Sequence, residues 1–317
     1  MRNAQLIVVA PVFEDVEASS RLFQELATEF REQVFVVAVD DGSVRQPLPV
    51  SALQMAPVNG VILKLRRNVG HQKAIAVGID YVVQQVTANQ RVVVMDSDGE
   101  DVPGSIRTLL ESLERQDVDV AVAHRKSRVE TWRFKAFYAV YKRLFRILTG
   151  RSISFGNFMA LKAPAAKRLA AMQELPIHVA ATVLASRLRT AVCPIDRGPR
   201  YAGQSKMNFV GLVLHGFKGL MVFAEDVLVR VGLACGLIAG GSVLVAGLAI
   251  VLKVIGYSSP GWFSVALGIL VLIFLQTGTL TLMTLMLTGA VRGGTLTPTV
   301  AYRDVIEEVI ATTRPAT

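Results

Sequence analysis

The stretch RVVVMDSDGED (91–101) decides the reading of this chain. Val92, Val93, Val94 and Met95 form a short apolar run that ends abruptly in Asp96, Asp98, Glu100 and Asp101. A continuous apolar run bounded by turn signals reads as a buried strand. Crowded carboxylates repel one another and raise each other's pKa unless a cation neutralises them. A hard divalent ion, Mg²⁺ or Mn²⁺, meets that need, because Mg²⁺ is typically held by one or two carboxylates while substrate phosphates complete its shell. Such an ion would tie the protein to a diphosphate and neutralise a leaving group.

Outward from this turn, strands and helices alternate. Residues 5–13, 34–43, 60–68 and 118–125 read as further strands, and 15–30, 70–86 and 102–116 as helices, the last with Pro103 in its first turn, where its missing N–H costs nothing. This alternation predicts an α/β fold: a mainly parallel sheet with helices on both faces. Ligands then gather beyond the carboxyl ends of the strands. There the sequence puts VDDGS, RRN, DSDGED and HRKSR, four polar clusters that predict one site.

The 317 residues carry a net charge of +9, unevenly distributed. Segment 124–151 holds nine Lys/Arg against one acid, Glu130. Within 130–149 aromatics (Trp132, Phe134, Phe137, Tyr138, Tyr141, Phe145) alternate with cations. A helix of this kind lies in a lipid interface, with its cations toward anionic headgroups. The alternative, a nucleic-acid-binding helix, loses ground to the long apolar segments further along the chain. Between Arg230 and Arg292 the only charged residue is Lys253. The runs 231–252 and 262–291 each exceed the roughly 20 apolar residues that span a bilayer and are parted by the turn GYSSPG. They predict a two-helix membrane hairpin. Basic flanks favour the cytoplasm, so residues 1–230 and the tail are expected there, at the inner membrane. The apolar stretch near the N-terminus is too short for a signal sequence. The expected organisation is a catalytic domain over 1–206 containing the interfacial helix 130–149, a juxtamembrane amphipathic helix over 207–230, the hairpin over 231–291, and a tail over 292–317 forming a short helix with frayed ends. Two cysteines, Cys193 and Cys235, offer neither a disulfide framework nor a metal site.

Other readings of the acidic turn are weaker. The first strand is followed by no G-x-G-x-x-G, and no G-x-x-x-x-G-K-[ST] occurs. An aspartate-nucleophile phosphatase uses D-x-D-G after its first strand with Thr following; here the motif ends the fourth strand and Glu100 follows.

The ordered set PVFED, VDDGS, RRNVGHQKAIAVGID, DSDGED, HRKSR and RYAGQSKM resembles family 2 glycosyltransferases of the GT-A fold, and among them the dolichyl- and polyprenyl-phosphate sugar synthases; the C-terminal hairpin matches their membrane-anchored bacterial members. The resemblance implies inverting transfer of a sugar from a UDP- or GDP-linked donor to a polyprenyl (undecaprenyl) phosphate, with no nucleic acid involved, and is compatible with a homo-oligomer. It maps donor binding to Pro11, Phe13, Asp15, Asp41, Asp96, Ser97 and Lys206, although the family's Asn-Glu is Glu14-Asp15 here. It maps the metal to Asp98, with Asp96 and Glu100, the latter where the family often has Gln. Arg125 matches the family's basic residue after the fifth strand and joins Asp98 and Asp101 as the catalytic set. Arg128, Arg200 and Ser205 are the expected contacts to the acceptor phosphate. Asn157, in SFGNFMALK (154–162), falls where the family lines the acceptor side, and His71 receives no role. Two rivals remain: a processive polysaccharide synthase, which carries a Q-x-x-R-W absent here, and a non-catalytic membrane scaffold.

Overall fold

The computed structural model describes residues 1, 4–125, 132–201, 209–257, 261–292 and 302–312. The chain forms two compact units. One comprises Met1–Lys142, Ser152–Val222 and Thr299–Thr317; the other comprises Arg143–Arg151 and Phe223–Pro298.

The first unit is built on an eight-stranded sheet. Its strands are β1 (Leu6–Val12), β2 (Val34–Asp40), β3 (Asn59–Leu65), β4 (Arg91–Val94), β5 (Val120–Arg125), β6 (Met159–Lys162), β7 (Thr190–Ile195) and β8 (Ile306–Thr312), in the order β7-β5-β6-β4-β1-β2-β3-β8. β1 pairs in parallel with β2 and β4, β2 with β3, and β5 with β7. β6 runs antiparallel between β4 and β5, and β8 antiparallel on β3. This is the mainly parallel α/β sheet that the alternating pattern predicts.

β1 is buried along its whole length. Leu6, Val8 and Ala10 join one core layer with Leu22, Phe23 and Leu26 of α1 (Val16–Phe30) and Leu53 of α2 (Ser51–Met55). Ile7 and Val9 join the opposite layer with Ile75 and Ile79 of α3 (His71–Val83). A strand covered on both faces reads as a continuous apolar run because neither face can be polar. Beyond β4, a 3₁₀ turn over Pro103–Ser105 leads into α4 (Ile106–Leu113), whose Ile106, Leu109 and Leu113 enter the first layer. α5 (Trp132–Thr149) follows β5, α6 (Ala163–Ala170) and α7 (Val179–Ala185) precede β7, and α8 (Phe209–Met221) follows it.

Two segments differ from expectation. The second apolar–polar helix, expected over 207–230, breaks near Phe223, the residue that caps the next helix. The tail is not a frayed helix. After a four-residue α11 (Tyr302–Val305) it becomes β8, fastened to β3 by Lys64 Nζ to Glu308 at 3.5 Å and by the Thr312 hydroxyl donating to the Gly60 carbonyl at 3.1 Å. Sheet pairing outweighs local preference here, because IEEVIAT supplies β-branched residues to an open strand edge.

The second unit contains α9 (Ala224–Val254) and α10 (Trp262–Arg292). Both are long and apolar enough to cross a membrane. They run antiparallel. Near one end Gly232 lies against Thr284, and near the other Lys253 Nζ stands 4.0 Å from the centroid of the Phe263 ring. Leu237, Leu244 and Met286 are each more than three-quarters exposed.

Gly78 shows how closely α3 rides on the sheet. A Cβ there would stand 2.4 Å from Val9 Cγ1 and 3.0 Å from Val39 Cγ2. Gly78→Val is expected to cost about 1–3 kcal/mol of stability, read as a lowered melting temperature of the detergent-solubilised chain.

Candidate active site

The acidic turn is held at the exit of β4 by its own polar groups. The Ser97 hydroxyl donates to the Pro11 carbonyl at 2.9 Å, fastening the turn to the end of β1. Asp101 Oδ2 accepts from the Asp96 backbone N–H at 2.9 Å, and Asp98 Oδ1 from the Glu100 N–H at 3.0 Å. Ser97 and Asp101 are buried. Gly99 has φ +91°, and a Cβ there would lie 2.6 Å from the Tyr201 ring. Glycine is required on both counts.

The strap that follows β7 closes over this turn. The Gly198 N–H donates to the Glu100 carbonyl at 3.0 Å and the Tyr201 N–H to the Asp98 carbonyl at 2.9 Å. Arg200 Nη2 stands 2.8 Å from Asp98 Oδ2 and 3.4 Å from Glu100 Oε1, and Arg197 pairs with Glu100 Oε2. Burial pulls the Arg197 pKa down while Asp98 and Asp96 push it up; a guanidinium stays charged regardless. Tyr201 is locked from behind: its hydroxyl donates to Glu25 Oε2 at 2.5 Å, and the Arg21 guanidinium lies 4.4 Å from its ring centroid. Burial, with Glu25 beside it, pushes the Tyr201 hydroxyl pKa up. A small recess, with room for about 10 Å³, lies beside the strap and is lined by Glu100, Asp101, Asp196 and Arg197 with apolar Phe158 and Ile195.

Histidines wall the other side. His71 Nε2 lies 2.8 Å from Asp96 Oδ1. The Val179 N–H donates to Gln72 Oε1 at 2.7 Å, which turns the Gln72 NH₂ toward His71 Nδ1 at 3.3 Å. Nδ1 is thereby the acceptor, and Nε2 carries the proton toward Asp96. Burial lowers the His71 pKa, but Asp96, Asp98 and Asp101 outweigh it and leave the group raised above its ordinary 6.5. His178, the N-cap of α7, and His215 of α8 stack with ring centroids 4.3 Å apart.

Several expected donor residues turn inward. Asp41 is buried, and its two oxygens accept from the Val69 N–H at 2.7 Å and the Gly70 N–H at 3.0 Å. Burial raises its pKa against those two bonds. Asp15 caps α1 by accepting from the Ala18 N–H. Glu14, at φ +49°, accepts from the N–H groups of Val44, Arg45 and Gln46 and shapes the loop after β2. Phe13 is partly exposed at the end of β1, near Pro11. Asn157 is half-buried just before β6. Arg125 ends β5, in register with Ile195. Arg128, Ser205 and Lys206 lie outside the described residues. The structure therefore brings Asp96, Ser97, Asp98, Glu100, Asp101 and Arg200 together, and adds His71, to which the sequence reading gives no role, and Arg197 and Tyr201, which receive none there either. Tyr201 stands in the RYAGQSKM motif, whereas Arg197 lies just before it and went unread because β7, with Pro194 inside it, does not look like a strand; proline is tolerated there because β7 is an edge strand.

The family model for glycosyl transferase family 2 matches residues 8–170, from β1 to the end of α6. The chain belongs to glycosyl transferase family 2. Among relatives of this glycosyltransferase is an uncharacterized glycosyltransferase of Synechocystis, 26% identical over 279 residues, covering 84% of this chain and 85% of the relative. A dodecaprenyl-phosphate galacturonate synthase of Rhizobium johnstonii is 30% identical over 135 residues, covering 40% and 38%. Among solved structures, the glucosyl-3-phosphoglycerate synthase of Mycobacterium tuberculosis, in complex with Mn²⁺, UDP-glucose and phosphoglyceric acid, matches with a TM-score of 0.49 and 14% identity, covering 72% and 80%.

Chemically, the site offers hard carboxylate oxygens on the turn after β4 and guanidinium groups on the strap after β7. The donor set suits a hard divalent ion, since carboxylate oxygens are its preferred partners. In the arrangement seen, however, no three acidic, histidine or cysteine side chains converge on one point among the described residues.

The transferase should show the histidine pair in its pH dependence. Burial, with His215 and Lys218 nearby, pushes the His178 pKa down to about 3. The unfolded chain protonates this group near 6.5 and the folded chain does not, so stability is lost as pH falls below that value. The melting temperature is expected to drop from about pH 6.5 to pH 5, and less so in His178→Asn, which keeps an N-cap acceptor for the Ala181 N–H.

Proposed function

We propose that this glycosyltransferase moves a sugar, with inversion, from a nucleotide-diphospho-sugar to a polyprenyl phosphate at the cytoplasmic face of a membrane, with Mg²⁺ or Mn²⁺ as cofactor. One observation carries the reading: carboxylates and arginines meet at the exit of β4, where a diphosphate needs both a cation-holding group and direct cationic contacts. Family membership supports a sugar donor. The Rhizobium relative, named for a dodecaprenyl phosphate product, supports a lipid phosphate acceptor over the segment it shares. α9 and α10 support a membrane location, and the basic flanks of the hairpin support the cytoplasmic side.

Asp98, with Asp96 and Glu100, would hold the divalent ion. Bound there, it supplies charge neutralisation of the leaving nucleoside diphosphate. Everything else falls to the chain's own groups. Ser97 and Asp101 fix the backbone of the turn, so that only the Asp96, Asp98 and Glu100 side chains would have to change partners. Asp41 holds the β3–α3 loop against the end of β2, shaping the place for the nucleotide beside Pro11, Phe13 and Asp15. Arg125, with Lys206 on the donor side and Arg128 and Ser205 on the acceptor side, supplies the phosphate contacts, while Arg200, expected on the acceptor phosphate, lies against Asp98 and Glu100. The attacking oxygen belongs to a phosphate already anionic near neutral pH, so positioning and charge screening matter more than proton removal.

Exposed Val140, Leu144 and Ile147 on α5, interleaved with Lys142, Arg143 and Arg146, support contact with an anionic lipid interface. So does the exposed stripe Val210, Leu214, Phe217 and Met221 on α8, spaced for one helix face.

The test is transfer of radiolabel from UDP- and GDP-sugars to undecaprenyl phosphate, with Mg²⁺ or Mn²⁺ present. Label is expected in the organic phase with at least one donor, and Asp98→Asn should lower its rate at least about 100-fold. Label that never reaches lipid with any donor would sink the acceptor assignment. Full activity in Asp98→Asn would remove the metal from the reaction.

A further inference from the structure

We propose that Arg197 and Arg200 are built-in counter-ions that compete with the divalent cation for Glu100 and Asp98, and that loading the cation moves both guanidiniums onto the donor diphosphate. The inference rests on the metal-dependent transfer reading above and adds to it a pair of residues with two alternative partners.

Asp98 Oδ1 accepts from the Glu100 N–H at 3.0 Å, and Oδ2 pairs with Arg200 at 2.8 Å. Glu100 is engaged at both oxygens as well, Oε1 by Arg200 at 3.4 Å and Oε2 by Arg197. A divalent ion binds a carboxylate oxygen at about 2.0–2.1 Å. Seated there, it would face two fixed positive charges across the same carboxylates. Like charges this close, in a partly buried turn, repel, so ion and guanidiniums each weaken the other's hold on the carboxylates.

Leaving the carboxylates does not strand the arginines. A guanidinium's planar fork fits phosphate oxygens as well as carboxylate oxygens, and a donor diphosphate arriving with its cation brings that second partner. Nor does the exchange require the strap to open. Its backbone is tied to the turn through Gly198 and Tyr201, and Tyr201 is pinned to Glu25 on α1. The Arg197 side chain, by contrast, is 39% exposed, with room to swing. With the backbone tied, the exchange is a change of side-chain partner and not a lid movement; Arg200, 24% exposed, shifts within the site rather than swinging into solvent.

Mn²⁺ binding to the full-length chain in detergent tests this, read as loss of the free-ion electron paramagnetic resonance signal, without nucleotide and then with UDP or GDP. Without nucleotide, Arg197→Gln and Arg197→Ala should each bind Mn²⁺ roughly three- to tenfold more tightly than the unaltered chain. The tightening that UDP or GDP adds should shrink in both variants. Arg197→Lys keeps the charge and should bind Mn²⁺ alone nearly as the unaltered chain does. Unchanged or weaker Mn²⁺ binding in both neutral variants, with binding lost in Asp98→Asn, would overturn the competition and leave the metal reading standing. The same gain in Arg197→Lys would also overturn it, by showing that shape and not charge is at work. Undiminished Mn²⁺ binding in Asp98→Asn would overturn the metal reading and this inference together.

Discussion

Like charges held a few ångströms apart at the mouth of an apolar strand must be neutralised, or the turn that carries them comes apart. Asp96, Asp98, Glu100 and Asp101 are in this position, and nearly every polar contact around them serves to hold or screen them. His71 meets Asp96, and Arg197 and Arg200 meet Glu100 and Asp98. Ser97 and Asp101 spend their polar atoms on the backbone of the turn and its neighbour. The tight seat of Tyr201 over Gly99 gives the cationic strap one position relative to the acids. Without that contact the arginines would hang from a loop, and long side chains on a loose loop hold charges poorly against their own entropy.

The sheet supplies the rigidity behind this arrangement. β1, covered on both faces, places Pro11 and Phe13 at its end, and the parallel pairing of β1 with β2 and β4 brings three strand exits to one edge. The two core layers fix α1 and α3 on opposite sides. Glu25 thus reaches the strap from one face while His71 reaches the turn from the other.

Much of this was legible in the sequence, for a physical reason. β1 to β5 are apolar, β-branched and bounded by turn residues, and the helices between them carry one apolar face, so local signal and tertiary outcome agree. The acidic half of the site was legible because its members are neighbours along the chain. The cationic half was legible only in part: Arg200 stood in the RYAGQSKM motif, expected on the acceptor phosphate, and Arg197 went unread. Arg197 lies nearly a hundred residues from Glu100, and only the pairing of β5 with β7 brings them together. β7 itself gives a weak signal, and β8 was hidden because its strand character depends on the open edge of β3. Asp41 shows the converse. Its residue type and place after β2 led to the expectation of a donor contact, while its oxygens accept from the amides of Val69 and Gly70, bonds that no spacing along the chain reveals.

β8 carries a consequence for biogenesis. Residues 306–312 come after α9 and α10 in the chain, so the outer edge of β3 stays bare while both long apolar helices are being synthesised. An uncovered edge strand invites pairing with other chains. Completion of the sheet therefore waits on the ribosome having released both helices, and the order of synthesis leaves the nascent enzyme vulnerable to misassembly until they have found their surroundings.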